Sequence, residues 1–177
     1  MDTNLAKLLK AIEFAAHKHR DQRRKDQDAS PYINHPIALA SLLAQVGGVD
    51  DLVVLQAAIL HDTIEDTQTT YEELVKEFGR EVADVVMEVT DDKNLLKHQR
   101  KQMQVDHAPK KSRAAALVKL ADKTCNLRDM ASSPPSDWTL ARRQEYFDWA
   151  KKVVDGLPKV NEKMEKAFED AMKGRPV

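Results

Sequence analysis

Residues 52–67 read LVVLQAAILHDTIEDT. The first nine include a single polar side chain, Gln56, so the segment is apolar on nearly every face, and a helix of that kind belongs at the centre of a fold. The expected helix starts with Asp50 or Asp51 as its cap and ends near Glu65. Its far end raises the question of chemistry, because one imidazole and three carboxylates (His61, Asp62, Glu65 and Asp66) follow directly on buried aliphatic residues. Like charges one helical turn apart destabilise one another unless a cation compensates. Imidazole and carboxylate together suit manganese, iron or zinc, and the absence of a cysteine cluster argues against a structural zinc site. An isolated His-Asp pair is more often a solvated helix end, so the setting carries this reading and the dipeptide alone does not.

Outward from this segment, helical spacing recurs along the chain. Leu5, Leu8, Leu9, Ile12, Ala16 and His19 mark an amphipathic helix over residues 4–20. The stretch RDQRRKDQDASPY, Arg20 to Tyr32, has neither period and contains a Ser-Pro pair, which reads as a connecting loop rich in cations. Pro36 suits the first turn of a short helix reaching about Val46, stopped by Gly47-Gly48, with His35 just before it. Thr70 and Glu73 have capping-box spacing ahead of a helix to about Phe78, and Gly79 stops it. Further helices are expected over 80–89, 94–105, 109–130 and 138–155, followed by a last amphipathic helix after Gly156 and Pro158. No alternating strand pattern occurs. The expected fold is all-α, a bundle of about nine or ten helices forming one domain over residues 1–177, without repeats.

Composition excludes several classes of function. Hydrophobic residues make up 42% of the chain and charged residues 32%, which suits a packed core under a solvated surface. The formal net charge of −1 supplies no global field toward nucleic acid or an anionic membrane, so any anion site must be local. Cys125 is the only cysteine, which leaves no internal disulfide and fits a reducing, cytoplasmic setting. The start, MDTNLAKLLKAIEF, intersperses charges among its apolar residues, unlike a signal peptide. No uncharged stretch approaches the roughly 18 residues needed to span a bilayer.

A second helix offers a surface to match His61-Asp62. Asp122, Asn126 and Asp129 fall at i, i+4 and i+7, a polar stripe beside the apolar face of Ala114, Leu117, Val118, Ala121 and Cys125. Such stripes usually face solvent, but one that borders a buried face suits a pocket wall. His35 is a candidate to complete the set. Among the other histidines, His19 sits on an apolar helix face and is expected in the core, whereas His17, His98 and His107 are expected at the surface.

The stretches PYINHP (31–36), AILHDTIEDT (58–67) and VKLADKTCNLRD (118–129) resemble the HD-domain hydrolase half of the RelA/SpoT alarmone enzymes. With EVTDDK (88–93) and QEYFDWA (144–150), the chain looks more closely like the stand-alone small alarmone hydrolases of the metazoan SpoT-homologue type, nearly end to end. The resemblance implies an HD-domain helical bundle in which His35, His61, Asp62 and Asp122 hold one manganese ion. Glu65 and Asp66 match the acidic pair that orients and deprotonates the attacking water. Arg24, Lys25, Tyr32, Asn126, Arg142 and Tyr146, with Lys97 as a further candidate, fall at positions that contact the nucleotide. The implied reaction removes the 3′-diphosphate of ppGpp or pppGpp, giving GDP or GTP and pyrophosphate, in an enzyme that binds neither nucleic acid nor membrane. Alternatives are removal of the 2′-phosphate of NADPH by the same chemistry, and an inactive nucleotide-binding signalling module. At residues 123–125 the chain has Lys-Thr-Cys where the family commonly has Arg-Leu-His or Lys-Leu-Tyr, so Cys125 stands where a larger pocket side chain is expected. With its end at Val177, the chain is expected to lack the synthetase and regulatory domains of the long family members. Oligomeric state is not legible.

Overall fold

The computed structural model describes residues 3–177, which form ten α-helices and one short 3-10 turn; the only β pairing among them is a lone bridge between Arg23 and Pro31. The apolar segment becomes α3 (Leu52–Leu60), capped by the Asp51 carboxylate, which accepts from the Val53 and Val54 amides. Every residue from Val54 to Leu60 is buried. Around α3 pack α1 (Asn4–Lys18), α2 (Asn34–Gln45), α6 (Arg80–Val89) and α8 (Arg113–Ser132). The α8 helix is the second axis of the fold, buried from Ala115 to Cys125, and it also carries α9 (Leu140–Gly156) and α10 (Glu162–Met172). Leu39, Leu43, Ile59, Leu60, Leu117, Leu127 and Phe147 fill the space between, each fully buried. At roughly 1.5–3 kcal/mol per buried large aliphatic or aromatic side chain, this core is the main favourable term in folding. No helix of the described residues is long and apolar enough to cross a membrane.

Several boundaries differ from the sequence reading, each for a local reason. The helix expected to run on to about Glu65 breaks after Leu60, and α4 (Thr63–Asp66) is a separate single turn. Asp62 sits at φ −103°, ψ 2°, between helical and extended backbone. Adjacent residues of a continuous helix point about 100° apart, so this break is what lets His61 and Asp62 face one centre. The α2 helix starts at Asn34, which places His35 inside its first turn and Pro36 where the missing amide proton removes no helical hydrogen bond. The α7 helix (Lys97–His107) begins after Asn94, because Asp92 caps a turn by accepting from the Asn94 amide at 2.9 Å. Pro109 lies in the 3-10 turn Ala108–Lys110, and Ser112 caps α8. Thr139 caps α9, displacing its start from Trp138. Half of the expected capping box forms at α5 (Tyr71–Phe78): Thr70 accepts from the Glu73 amide, but the Glu73 carboxylate pairs with Lys18 at 2.8 Å. Gly79, at φ +89°, joins α5 directly to α6 in a backbone region open to glycine.

Candidate active site

The C-terminal end of α3, the first turn of α2 and the middle of α8 converge on one point. His35, His61 and Asp62 present ligand atoms that all lie within 4.8 Å of one another. Asp122 joins them from α8, with Oδ1 3.1 Å from His35 Nε2 and 3.9 Å from His61 Nε2. His61 Nδ1 donates to the Ala58 carbonyl at 2.8 Å, so Nε2 is the nitrogen turned toward the cluster, the one that would give up its proton on ligating a metal. His61 Nε2 lies 3.0 Å from Asp62 Oδ2 but is not aligned as a hydrogen bond, which leaves a buried nitrogen without a partner. Two imidazoles, two carboxylates and this orphaned nitrogen fit a dication.

The surrounding contacts fix these groups. Asn126 Nδ2 donates to Asp122 Oδ1 at 2.7 Å, and Lys123 Nζ lies 3.0 Å from Asp122 Oδ2 and 4.4 Å from the Trp149 ring centroid. The Tyr32 hydroxyl donates to Asp62 Oδ2. Burial alone would push the His61 pKa down, yet the Asp62 and Asp122 carboxylates hold it up to about 9. For His35 burial wins and the pKa falls, despite the Asp122 bond. Asp62 resists the upward push of burial, because His61 holds it well below the usual carboxylate range.

The two further acids stand on α4. Glu65 Oε2 accepts from the Asp91 amide at 3.0 Å, and burial pushes its pKa up to about 7. Asp66 accepts from Gln22 Nε2 at 2.9 Å on Oδ2 and from Lys93 Nζ at 2.5 Å on Oδ1. One short connection, Thr90 to Leu96, therefore touches both acids. The Glu65 shift has a consequence for the metal-free protein. With a folded pKa of about 7 against 4.5 unfolded, the fold favours the protonated acid, so stability contributed below pH 4.5 is lost as pH rises through 7. Glu65→Gln keeps the acceptor for the Asp91 amide and removes the charge. Its unfolding free energy, compared with wild type in chelator, is expected to be higher at pH 8 by an amount on the order of 1–2 kcal/mol after allowing for partial exposure, read as a raised thermal midpoint. The difference should shrink toward pH 5, and a variant no more stable at pH 8 than at pH 5 relative to wild type would contradict it.

The cluster opens into a cleft of about 700 Å³, lined in part by Gln22, Arg24, Lys25, Tyr32, His35, Asp66, Asn126, Asp129, Trp138 and Tyr146. A smaller recess of about 260 Å³ shares Lys25, Trp138 and Tyr146 and adds Lys97, Arg100, Lys101 and Arg142. The structure thus brings every candidate nucleotide contact to one cavity system. Arg24 is fixed there: its backbone amide donates to the Ser30 carbonyl at 2.8 Å, and its guanidinium reaches Asn126 at 3.1 Å and Asp129 at 2.6 Å. Tyr32 lines the cleft, but its hydroxyl is engaged by Asp62.

Cys125 packs in the core, as its place on the apolar face of the helix predicts, and lines neither cavity, its thiol pushed up to about 12 by burial. His19 is buried, and His17, His98 and His107 are exposed, as expected. Sequence reasoning passed over Gln22, Lys93, Lys101, Lys123 and Trp138. Lys93 had a signal in EVTDDK, and Lys123 in its place next to Asp122.

A family model described as HD domain matches residues 11–148. The guanosine-3′,5′-bis(diphosphate) 3′-pyrophosphohydrolases MESH1 of Mus musculus and Homo sapiens are each 53% identical to this chain over 175 residues, covering 99% of it and 98% of their own length. A solved structure of a metazoan orthologue of SpoT, which hydrolyzes ppGpp and plays a role in starvation responses, matches with a TM-score of 0.93 at 46% identity, covering 96% of each chain.

Proposed function

The chain belongs to the HD-domain family, and from that premise we propose that it is a metal-dependent guanosine-3′,5′-bis(diphosphate) 3′-pyrophosphohydrolase. One observation carries the reading: a buried His-Asp group with an unpartnered nitrogen opens onto a cleft walled by cations, and two further acids stand beside it. His35, His61, Asp62 and Asp122 are the ligands of one manganese ion. When bound, a dication there acidifies water and draws off charge developing on phosphate oxygens. The protein's own groups do the rest. Glu65, titrating near neutrality, accepts the proton of the attacking water, and Asp66 orients that water toward the phosphorus. The bond between that phosphorus and the 3′-oxygen breaks, releasing pyrophosphate and leaving the 3′-hydroxyl of GDP or GTP. Arg24 and Asn126 line the cleft beside the metal group, while Lys25, Lys97, Arg142 and Tyr146 hold the remaining phosphates and the base. The domain spans residues 1–177 and acts in the cytoplasm on small nucleotides.

The test is pyrophosphate release from ppGpp by the purified, manganese-loaded protein. Turnover is the expected result, and none with metal bound would reject the assignment. The continuity of cleft and recess favours a second substrate, because together they leave room for a dinucleotide such as NADPH, whose 2′-phosphate would meet the same acids. Equal-enzyme turnover on ppGpp and NADPH ranks the two. Binding of ppGpp without turnover of either would leave a signalling module.

A further inference from the structure

His19 is a buried histidine that the metal group does not use. It follows α1, is 2% exposed, and packs its ring on Tyr32 with centroids 4.8 Å apart. Its Nδ1 lies 2.6 Å from Gln22 Oε1, and its Nε2 is buried without a partner. Gln22 Nε2 in turn donates to Asp66 Oδ2. The chemistry of the chain of contacts fixes the protons. An ionised carboxylate only accepts, so the amide nitrogen of Gln22 must face Asp66 and its oxygen must face His19. That oxygen also only accepts, so Nδ1 of His19 carries a proton. A second proton on Nε2 would be a buried donor with nothing to receive it. His19 is therefore neutral and held in the Nδ1–H tautomer.

Asp66 needs this support. It stands on a helix of one turn, and its other oxygen meets Lys93, a long side chain that is 50% exposed and free to relax into solvent. A cation on one oxygen leaves the carboxylate free to rotate. A second donor on the other oxygen, supplied by an amide whose own oxygen is pinned to a buried ring, fixes the carboxylate plane.

We propose that His19 and Gln22 are positioning residues for Asp66, with the His19 ring holding the Gln22 amide and the amide aiming the carboxylate. This rests on the reading of Asp66 as one of the two catalytic acids. Neither residue touches the reacting atoms, so both should act on turnover and leave substrate affinity alone. Gln22→Met, which keeps the side-chain length and removes the donor, should lower kcat roughly tenfold, the factor carried by one hydrogen bond to a charged group, with KM within about twofold. His19→Phe should produce a similar loss. His19→Asn, which keeps a donor near the place of Nδ1, should recover most of it.

The deciding measurement is a double-mutant cycle on the manganese-loaded enzyme, with metal content measured for each variant. In an Asp66→Asn background, Gln22→Met should cost nothing further. A second, independent readout is the ¹⁵N spectrum of the His19 ring, assigned by its loss in His19→Asn, which should show the Nδ1–H tautomer in the wild type. Unimpaired Gln22→Met beside an impaired Asp66→Asn overturns the proposal alone, as does an equal loss in both backgrounds or an Nε2–H tautomer. A fully active Asp66→Asn overturns the reading of Asp66 and the proposal with it.

Discussion

Asp62→Ala is expected to lose both the metal and the activity. Asp62 contributes one of the two negative charges in the cluster, and its Oδ2 is the oxygen nearest the unpartnered His61 Nε2. Loss of a supporting contact behind a ligand typically lowers metal affinity roughly 10–100-fold, so loss of a ligand should exceed that. With the ion gone, pyrophosphate release should fall by roughly a thousandfold or more. The substitution also removes the acceptor for the Tyr32 hydroxyl, leaving a buried donor unsatisfied, a penalty of about 1–3 kcal/mol. The variant should therefore melt earlier than wild type in the metal-free state and gain little on adding manganese, whereas wild type should be stabilised by it. Metal analysis of the purified variant, titration calorimetry and a melt with and without manganese read these three effects separately. Retention of the ion at wild-type affinity would remove Asp62 from the ligand set.

The contrast between what was legible in the sequence and what was not follows the range of the interactions. Asp51, Thr70 and Gly79 act within one turn of their own position, and their effects on α3, α5 and α6 were readable from local spacing. The apolar run from Val54 to Leu60 placed α3 at the centre because nothing but burial suits it. The break at His61-Asp62 was not readable, since it depends on where α2 and α8 present His35 and Asp122. Spacing by itself reached no further than a His-Asp pair and a polar stripe; the quartet of ligands came from the resemblance of several motifs at once. Gln22 was hidden for a further reason. Its partner, Asp66, lies 44 residues away in the chain, and a glutamine does not mark such a contact. Cys125, by contrast, was legible as part of the apolar face of α8, and that face keeps it on the core side of the polar stripe.

Glu65→Gln should fail in a different way, keeping the metal and losing turnover. Glu65 is set apart from the ion-binding group: its carboxylate accepts from the Asp91 amide, and it does not join the three residues whose ligand atoms cluster. Gln preserves the volume and that acceptor but cannot take a proton. General-base catalysis is typically worth roughly 10²–10⁴-fold, so kcat should fall within that range while manganese content and KM stay near wild type. The same substitution removes a charge that burial opposes, so the less active enzyme should be the more stable one at pH 8 in chelator. Loss of activity through misfolding would lower stability, and loss through the metal would lower manganese content. Only removal of the proton acceptor predicts slow turnover, full metal and a raised melting temperature together. Loss of the ion as complete as in Asp62→Ala would instead place Glu65 among the ligands and leave the proton of the attacking water to Asp66.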